Sequence, residues 1–294
     1  MSTVSASPRA SRFSGQRVRN RINDVLFYVL MIIAILIFAA PLLWIFSTSI
    51  KTTAEAMVFP PHWIPKTITF NAYWDLLFGP DATFLKYMRN SLIVSLSATF
   101  FTLLLGTLAS YSLSRYRIAG SGAVLLFILA MRMMPGITII IPFFAMMQRY
   151  GLLDSKTGLV LIYTVFNLPL VIWLMKGYFD TIPIEMEEAA RIDGCSRLGL
   201  FYRIALPLAG PGLGATAIFA FMGSWNEFMF NLILSTSDNS KTLPVGVQQA
   251  VGMWNIRWEM LSTGAVLAAI PVFIFAVTFQ RYIISGLVAG AVKG

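Results

Sequence analysis

An all-α, polytopic membrane protein with six transmembrane helices is what the sequence predicts, on three observations. The 294 residues are 57% hydrophobic and only 12% charged, with a mean hydropathy of +0.74, whereas a soluble globular domain carries about 25% charged residues. Six stretches each hold close to the ~20 mostly apolar residues that a spanning helix needs: 25–46, 91–114, 123–147, 157–177, 211–234 and 262–280. Prolines and glycines fall within or beside them (Pro41, Pro135, Gly136, Pro142, Pro169, Pro211, Pro271). Irregular backbone at membrane depth persists only where protein buries it or water reaches it. That pattern fits a moving or solute-lining bundle, and it also fits the ordinary abundance of Pro in spanning helices.

Residues 1–24 form a basic tail with Arg9, Arg12, Arg17, Arg19 and Arg21 against one acid, Asp24. The apolar run that follows is too long for a signal-peptide core and has no small-x-small cleavage site, so it reads as an uncleaved first span. An even number of spans places both ends on one side. With the termini inside, the inner segments hold 13 Lys and Arg and the outer ones 8, with Arg132 inside a span. The bias predicts cytoplasmic termini. The chain then divides into the tail 1–24 and a transmembrane domain 25–294, with a first extracytoplasmic segment at 47–90 and a cytoplasmic loop at 178–210. The formal charge of +9 belongs to these loops and the tail, with lipid as the partner and no nucleic acid. One cysteine, Cys195, and one histidine, His62, exclude an internal disulfide and a Cys/His zinc cluster.

The loop 178–210 predicts a helix–turn–helix at the membrane surface. Asp180 or Thr181 can cap its first helix, with Pro183 in the first turn. Glu185, Glu187 and Glu188 lie where the helix macrodipole favours acids. Gly194 can end that helix in a left-handed conformation, and Ser196 can cap a second helix limited by Pro207. Ala189, Ala190 and Ile192 offer a small apolar face for a groove on a partner. The alternative is a hairpin lying on lipid headgroups, but five acids against four bases suit an anionic leaflet poorly.

Glu188-Ala189-Ala190, three residues, Gly194, nine residues, Ile204, one residue and Leu206-Pro207 resemble the EAA loop of binding-protein-dependent ABC importer permeases. Ser224-Trp225-Asn226-Glu227-Phe228, the stretch from Met134-Pro135 to Ile141-Pro142, Tyr150 to Asp154, Asn71-Ala72-Tyr73, and the ending from Gln280-Arg281-Tyr282 to Gly294 resemble the maltose-type, multiple-sugar group, in its shorter six-span subunit. The resemblance covers nearly all of 25–294 and implies the type I importer permease fold in a bacterial cytoplasmic (inner) membrane. It implies a second permease subunit, two ATPase subunits and an extracytoplasmic solute-binding protein. It further implies that Glu188, Ala189, Ala190 and Gly194 couple to the ATPase, that Asp193 helps fix the turn, and that Ile204, Leu206 and Pro207 complete the motif.

The chain has no G-x-x-x-x-G-K-[ST] phosphate loop, so ATP and Mg belong to the ATPase subunits and this chain binds no cofactor or metal and carries no catalytic residue. Arg132, Asn167, Asn226 and Glu227 are polar at membrane depth and face protein or water, as pathway residues or as structural partners between helices. Trp225, Trp254, Trp258 and Tyr150 suit an interfacial belt or a sugar face. The outer loop 235–246 is turn-rich, and its Asn239, Ser240, Lys241 and Thr242 are candidates for contact with the binding protein. His62 reads as structural, and Cys195 as a small residue in a tight turn. A stand-alone secondary transporter or channel is the competing class, with Glu227 the sole intramembrane acid to serve it. A membrane-embedded enzyme lacks both a metal-ligand cluster and a nucleophile–base pair.

Overall fold

The computed structural model describes the backbone of residues 11–79, 82–116, 118–248 and 256–291, and the side chains of all of these but 11–22, 279 and 281–291. Trp254, the tail before residue 11 and the last residues of the chain lie outside them. Within the described residues the elements are helices, with no β-strand. In chain order they are α1 Ser11–Ser49, α2 Thr53–Ala56, α3 Asn71–Phe78, α4 Phe84–Arg115, α5 Ser121–Arg132, α6 Gly136–Arg149, α7 Lys156–Thr181 and α8 Ile184–Ile192. They continue as α9 Arg197–Leu200, a π-helical turn Phe201–Ala205, α10 Leu206–Leu208, α11 Gly210–Trp225, α12 Met229–Leu234, α13 Leu243–Gln248 and α14 Trp258–Ala291.

Four of the six apolar stretches are continuous spans: Asn23–Ser49, Phe84–Arg115, Lys156–Thr181 and Trp258–Thr278. The other two depart from the prediction. The stretch 123–147 is not one helix but α5 and α6, which meet at 93°. Pro135 cannot continue the i→i−4 ladder, so the chain turns through Met133–Pro135 and restarts at Gly136. The stretch 211–234 is interrupted at Asn226–Phe228 between α11 and α12.

The centre of the bundle is the pair α4 and α7, with α11 packed on both. Val94 and Ala98 of α4 meet Leu159, Ile162 and Tyr163 of α7 in one core, joined by Phe230 and Leu234 of α12 and Ile140 of α6. The approach is close because the facing residues are small. A Cβ added to Gly106 would stand 2.6 Å from Val171 Cγ1. Ser95, Thr99, Thr102 and Ser110 are buried along α4, and Thr99 and Thr102 return their hydroxyls to carbonyls one turn back, each at 2.7 Å. Small residues at helix contacts are how spanning helices gain packing where lipid supplies no hydrophobic drive.

α1 stands at the edge, packed on α14, and exposes Val25 through Leu30 and Ile35 through Phe38, an apolar surface suited to lipid. The segment after it folds over the same end. Thr53 Oγ1 donates to Glu259 Oε1 at 3.0 Å, and Thr263 Oγ1 to the Ser49 carbonyl at 3.2 Å. His62 Nδ1 sits 3.9 Å from the Glu55 carboxylate, a structural place. Backbone hydrogen bonds from Lys66 and Thr67 hold the Glu55 carboxyl below its ordinary range.

Gly212, in the first turn of α11, lies under the Tyr178 ring, where a Cβ would come within 2.3 Å of Cγ. Gly212→Ala is expected to lower the thermal midpoint of the detergent-solubilised chain by an overpacking penalty of about 1–3 kcal/mol. Gly177→Ala, in open space on α7, should leave it unchanged or raise it by up to ~1 kcal/mol, as helical Gly→Ala does.

Candidate functional site: a helical hairpin clamped to the bundle

The two ends of α4 define the two ends of the molecule. Beside its C-terminus lies the hairpin of α8, α9 and α10. Glu185 and Glu187 occupy the first turn of α8, as the macrodipole favours. The cap differs from the prediction: Pro183 is the N-cap and no side chain caps it. Asp180 and Thr181 are instead the end of α7. Asp180 is drawn there by Lys176 Nζ at 2.7 Å and Ser114 Oγ at 2.6 Å. At the far end Cys195 N–H reaches the Ala190 carbonyl at 3.0 Å and Gly194 N–H that of Arg191 at 3.1 Å. This is a Schellman closure with its left-handed residue at Gly194, φ +84°. Ser196 Oγ caps α9 by accepting from Gly199 N–H at 3.2 Å. Pro207 does not stop the second arm. The π-turn ahead of it carries Leu206 N–H to the Phe201 carbonyl, and the arm runs to Leu208 before meeting α11 at 78°.

The hairpin is bolted on. Arg115, the last residue of α4, donates Nε to Glu187 Oε1 at 2.6 Å and Nη2 to the Ile182 carbonyl at 3.1 Å. Tyr111 OH donates to Glu187 Oε2 at 2.7 Å. The Arg115 and Glu187 side chains are 9% and 6% exposed. Beneath them the Tyr111 ring packs against Phe179 and Phe201, with centroids 5.4 and 5.1 Å apart. Met175 and Ala205 complete that core. Glu187, Arg115 and Tyr111 were missed by sequence reasoning, since nothing local separates Glu187 from Glu185 and Glu188.

With Glu187 turned inward, the opposite face is presented outward. Glu188, Ala189, Asp193 and Gly194 are exposed and Ala190 half-buried. Met186 and Ile192 expose 48% and 87% of their surface. Of the motif's second arm, Ile204 and Leu206 are half-buried and Pro207 exposed. Such a face, mixing acids with apolar and small residues on a rigid support, suits a groove in another protein.

Of the other candidates, Asn167 meets α11 at Ser224, two residues before the adjacent pair Asn226 and Glu227, and Arg132 stands on α5. Arg132 is exposed at the end of α5. Asn167 is buried, donating to Ser224 Oγ at 3.0 Å and the Tyr163 carbonyl at 2.9 Å. Glu227 accepts from the N–H groups of Phe230 and Asn231, at 2.9 and 3.2 Å, and so caps α12. Asn226 is exposed and is the polar member of an otherwise apolar groove of about 580 Å³ between α11, α13 and α14. Trp225 is buried, stacked on Phe221, and so departs from the expected interfacial belt, while Trp258 and Tyr150 are exposed.

At the opposite end, the loop 235–242 is held by Asp154. Its Oδ1 accepts from the N–H groups of Thr236 and Ser237, at 3.1 and 3.0 Å, and from Ser240 Oγ. Burial pushes the Asp154 carboxyl up, but these hydrogen bonds outweigh it and bring the pKa to about 2. Asn90 of α4 donates to the Lys241 carbonyl at 2.9 Å. Ser240 and Thr242 are buried and support the loop, Lys241 pairs with Asp238 at 3.1 Å, and Asn239 is exposed. Asp154 and Asn90 were also missed, because their partners lie far along the chain.

Residues 102–288 match the family described as binding-protein-dependent transport system inner membrane component. The chain is 36% identical to a sulfoquinovosyl glycerol transport system permease protein of Agrobacterium fabrum, over 100% of both chains. It is 33% identical to a trehalose/maltose transport system permease protein of Thermococcus litoralis, over 92% of this chain and 99% of the relative. Among solved structures it resembles a chain of a bacterial ABC transporter involved in the import of the acidic polysaccharide alginate. There the TM-score is 0.74 and the identity 27%, over 95% of this chain and 99% of that one.

Removing one side of the clamp strands a buried charge. Glu187→Leu is expected to destabilise the chain by about 3–5 kcal/mol, and Arg115→Met/Glu187→Leu to recover most of that loss, read as thermal midpoints. Asp154 has its folded pKa depressed, so its contribution is complete above about pH 4, the ordinary Asp value, and fades as pH falls toward 2. Protection factors of the 235–242 amides, taken relative to intrinsic exchange at each pH, should therefore fall over that window, and Asp154→Asn should abolish the step.

Proposed function

The chain belongs to the family of binding-protein-dependent transport system inner membrane components, and from that premise we propose that its α8–α9 hairpin is the part that receives work from a nucleotide-hydrolysing partner. The protein is a membrane-spanning permease subunit of an ABC importer for carbohydrates or carbohydrate-like solutes. The single observation that carries the coupling reading is the hairpin's two-sidedness. Glu187 anchors it to α4 with a buried ion pair, and the reverse face leaves Glu188, Ala189 and Ile192 exposed among the described residues.

The mechanism follows from rigidity. ATP and Mg sit on two cytoplasmic ATPase subunits, and closure of those subunits moves the grooves in which the hairpins of this chain and of a second permease subunit are seated. The Arg115–Glu187 pair and the Tyr111–Phe179–Phe201 core pass that displacement to α4 and α7. The spans then reorient, and the extracytoplasmic solute-binding protein delivers its ligand into the path between the two permease subunits. This chain contributes binding surface and leverage and no bond-breaking group. Asn226 and the groove beside it form part of the pathway wall, Arg132 and Glu227 stand at breaks in the spans, and Asn167 holds α7 to α11. The termini are cytoplasmic, the orientation favoured by the Lys and Arg bias, and Asn239 at the outer loop meets the binding protein.

Gly194→Asp forces a β-carbon into φ +84° and adds charge to the seat, and Glu188→Lys reverses charge there. Both are expected to abolish ATP-driven uptake in vesicles while the chain still inserts in the membrane, with ATPase co-purification reduced. Normal uptake by both variants, or uptake by this chain alone without an ATPase, would overturn the reading.

A further inference from the structure

At the end of the bundle opposite the hairpin, an open cavity of about 540 Å³ lies between the first turns of α4 and α7. Lys86, Arg89 and Lys156 line it, with Asn90 and Asn239 between them. Two of the three cations are held by neutral oxygens. Lys86 Nζ donates to Asn239 Oδ1 at 2.9 Å and Lys156 Nζ to Asn90 Oδ1 at 3.1 Å. Arg89 is exposed and makes no ion pair among the described residues.

Two acids stand nearby, each also engaged by the 235–242 loop. Asp154, which also lines the cavity, takes the donors of the 235–242 loop. Asp238 takes Lys241 Nζ at 3.1 Å and Tyr87 OH at 2.7 Å. The cations also stand where a helix least favours them. α4 begins at Phe84 and α7 at Lys156, so the positive ends of two macrodipoles face the same space. Positive charge is thus gathered against local electrostatics and fixed by amides, with three cations facing one carboxylate, Asp154, on the cavity wall and Asp238 acting on Lys86 from beside it. That is the arrangement of a site awaiting an anion.

We propose that this pocket is an oxyanion site that receives a carboxylate side chain from the extracytoplasmic solute-binding partner when it docks. The inference rests on the importer reading above. A protein carboxylate fits better than an acidic solute, because the cavity lies at the rim beside Asn239 and apart from the apolar groove that contains Asn226. It also fits better than a lipid headgroup. Asn90, which orients Lys156, is 1% exposed, and the wall opposite α4 is polar, made by Asp154, Ser155, Lys156 and Asn239. Charge pairs of this kind act mainly on association rate and its dependence on salt.

The test uses the assembled importer in nanodiscs and the solute-binding protein of the same system. Lys86→Glu/Arg89→Glu should weaken binding about 10-fold or more at low salt and flatten the salt dependence shown by the unaltered complex. Lys86→Gln/Arg89→Gln should fall between the two, with co-elution of the ATPase subunits showing that each variant assembles. An Asp or Glu changed to Lys on the binding protein should restore affinity to the Glu/Glu variant. Unchanged affinity and salt slope would overturn the proposal. So would a loss seen only in nanodiscs of anionic lipid, or a loss confined to uptake of acidic solutes with docking intact. Failure of the unaltered complex to take up any solute with ATP would instead refute the importer reading, a distinguishable result.

Discussion

A guanidinium and a carboxylate, each less than a tenth exposed, meet where α4 ends and α8 begins. Neither has water enough to stand alone, so the two are stable only together, and the geometry that joins them fixes the hairpin against the bundle. Arg115 also holds the Ile182 carbonyl, which closes the short connection from α7 to α8. The ion pair therefore ties three elements rather than two. Its value lies in selecting one arrangement, since a buried pair is a weak source of net stability compared with apolar packing. In the proposed coupling role, a part that transmits displacement needs that uniqueness more than it needs strength.

The second constraint is the backbone. In hydrocarbon an unpaired N–H or C=O has no solvent partner, yet the apolar stretches are broken at two places. Each break is repaired within the chain. At Met133–Pro135 the last turn of α5 tightens, with Met133 N–H on the Ala130 carbonyl at 3.0 Å, and Thr138 N–H and Oγ1 take the Pro135 carbonyl at 3.0 and 2.7 Å. At Asn226–Phe228 the Glu227 carboxylate supplies acceptors to the open start of α12. This is why an acid stands inside an apolar stretch. It satisfies backbone donors, a task that the search for a pathway residue or a coupling-ion carboxylate does not anticipate.

How far the sequence could be read follows the range of the forces involved. Apolar length identified all six stretches, and four emerged as continuous helices, because burial in lipid depends on composition alone. Gly194 and Ser196 were legible because a left-handed turn and an N-cap are settled by neighbouring residues. Pro135 and Gly136 marked an irregularity, but the turn of the chain there was not legible, since both halves are apolar and a hydropathy window runs across it. Asp180 was misplaced because Ser114, 66 residues away, holds it at the end of α7. Glu187 is chemically identical to Glu185 and Glu188, and only its rotation toward Arg115 sets it apart. The same limit hid Asp154, whose partners begin at Thr236. Long-range pairing decides which of several equivalent polar residues matters, and one sequence does not contain that distance information.

The two ends of α4 are electrically opposite in kind. At the hairpin end Arg115 and Glu187 are buried and paired; at the other end Arg89 and the two amide-held lysines outnumber the one carboxylate, Asp154, that lines their cavity. One helix of 32 residues, about 48 Å at 1.5 Å per residue, joins them. Gly106 lets α4 lie against Val171 with almost no space between, and close-packed contacts of this sort resist gradual deformation. Relative sliding of α4 and α7 is therefore disfavoured, and in the proposed coupling a displacement imposed on the hairpin would reappear at the opposite cavity, where the first turns of both helices form the wall. A carboxylate seated there bears on the same rigid pair from the other side. Lys86, Arg89 and Lys156 then keep their spacing and move as a group, which under the proposed coupling gives a physical route by which occupancy at one face and nucleotide state at the other act on a shared element.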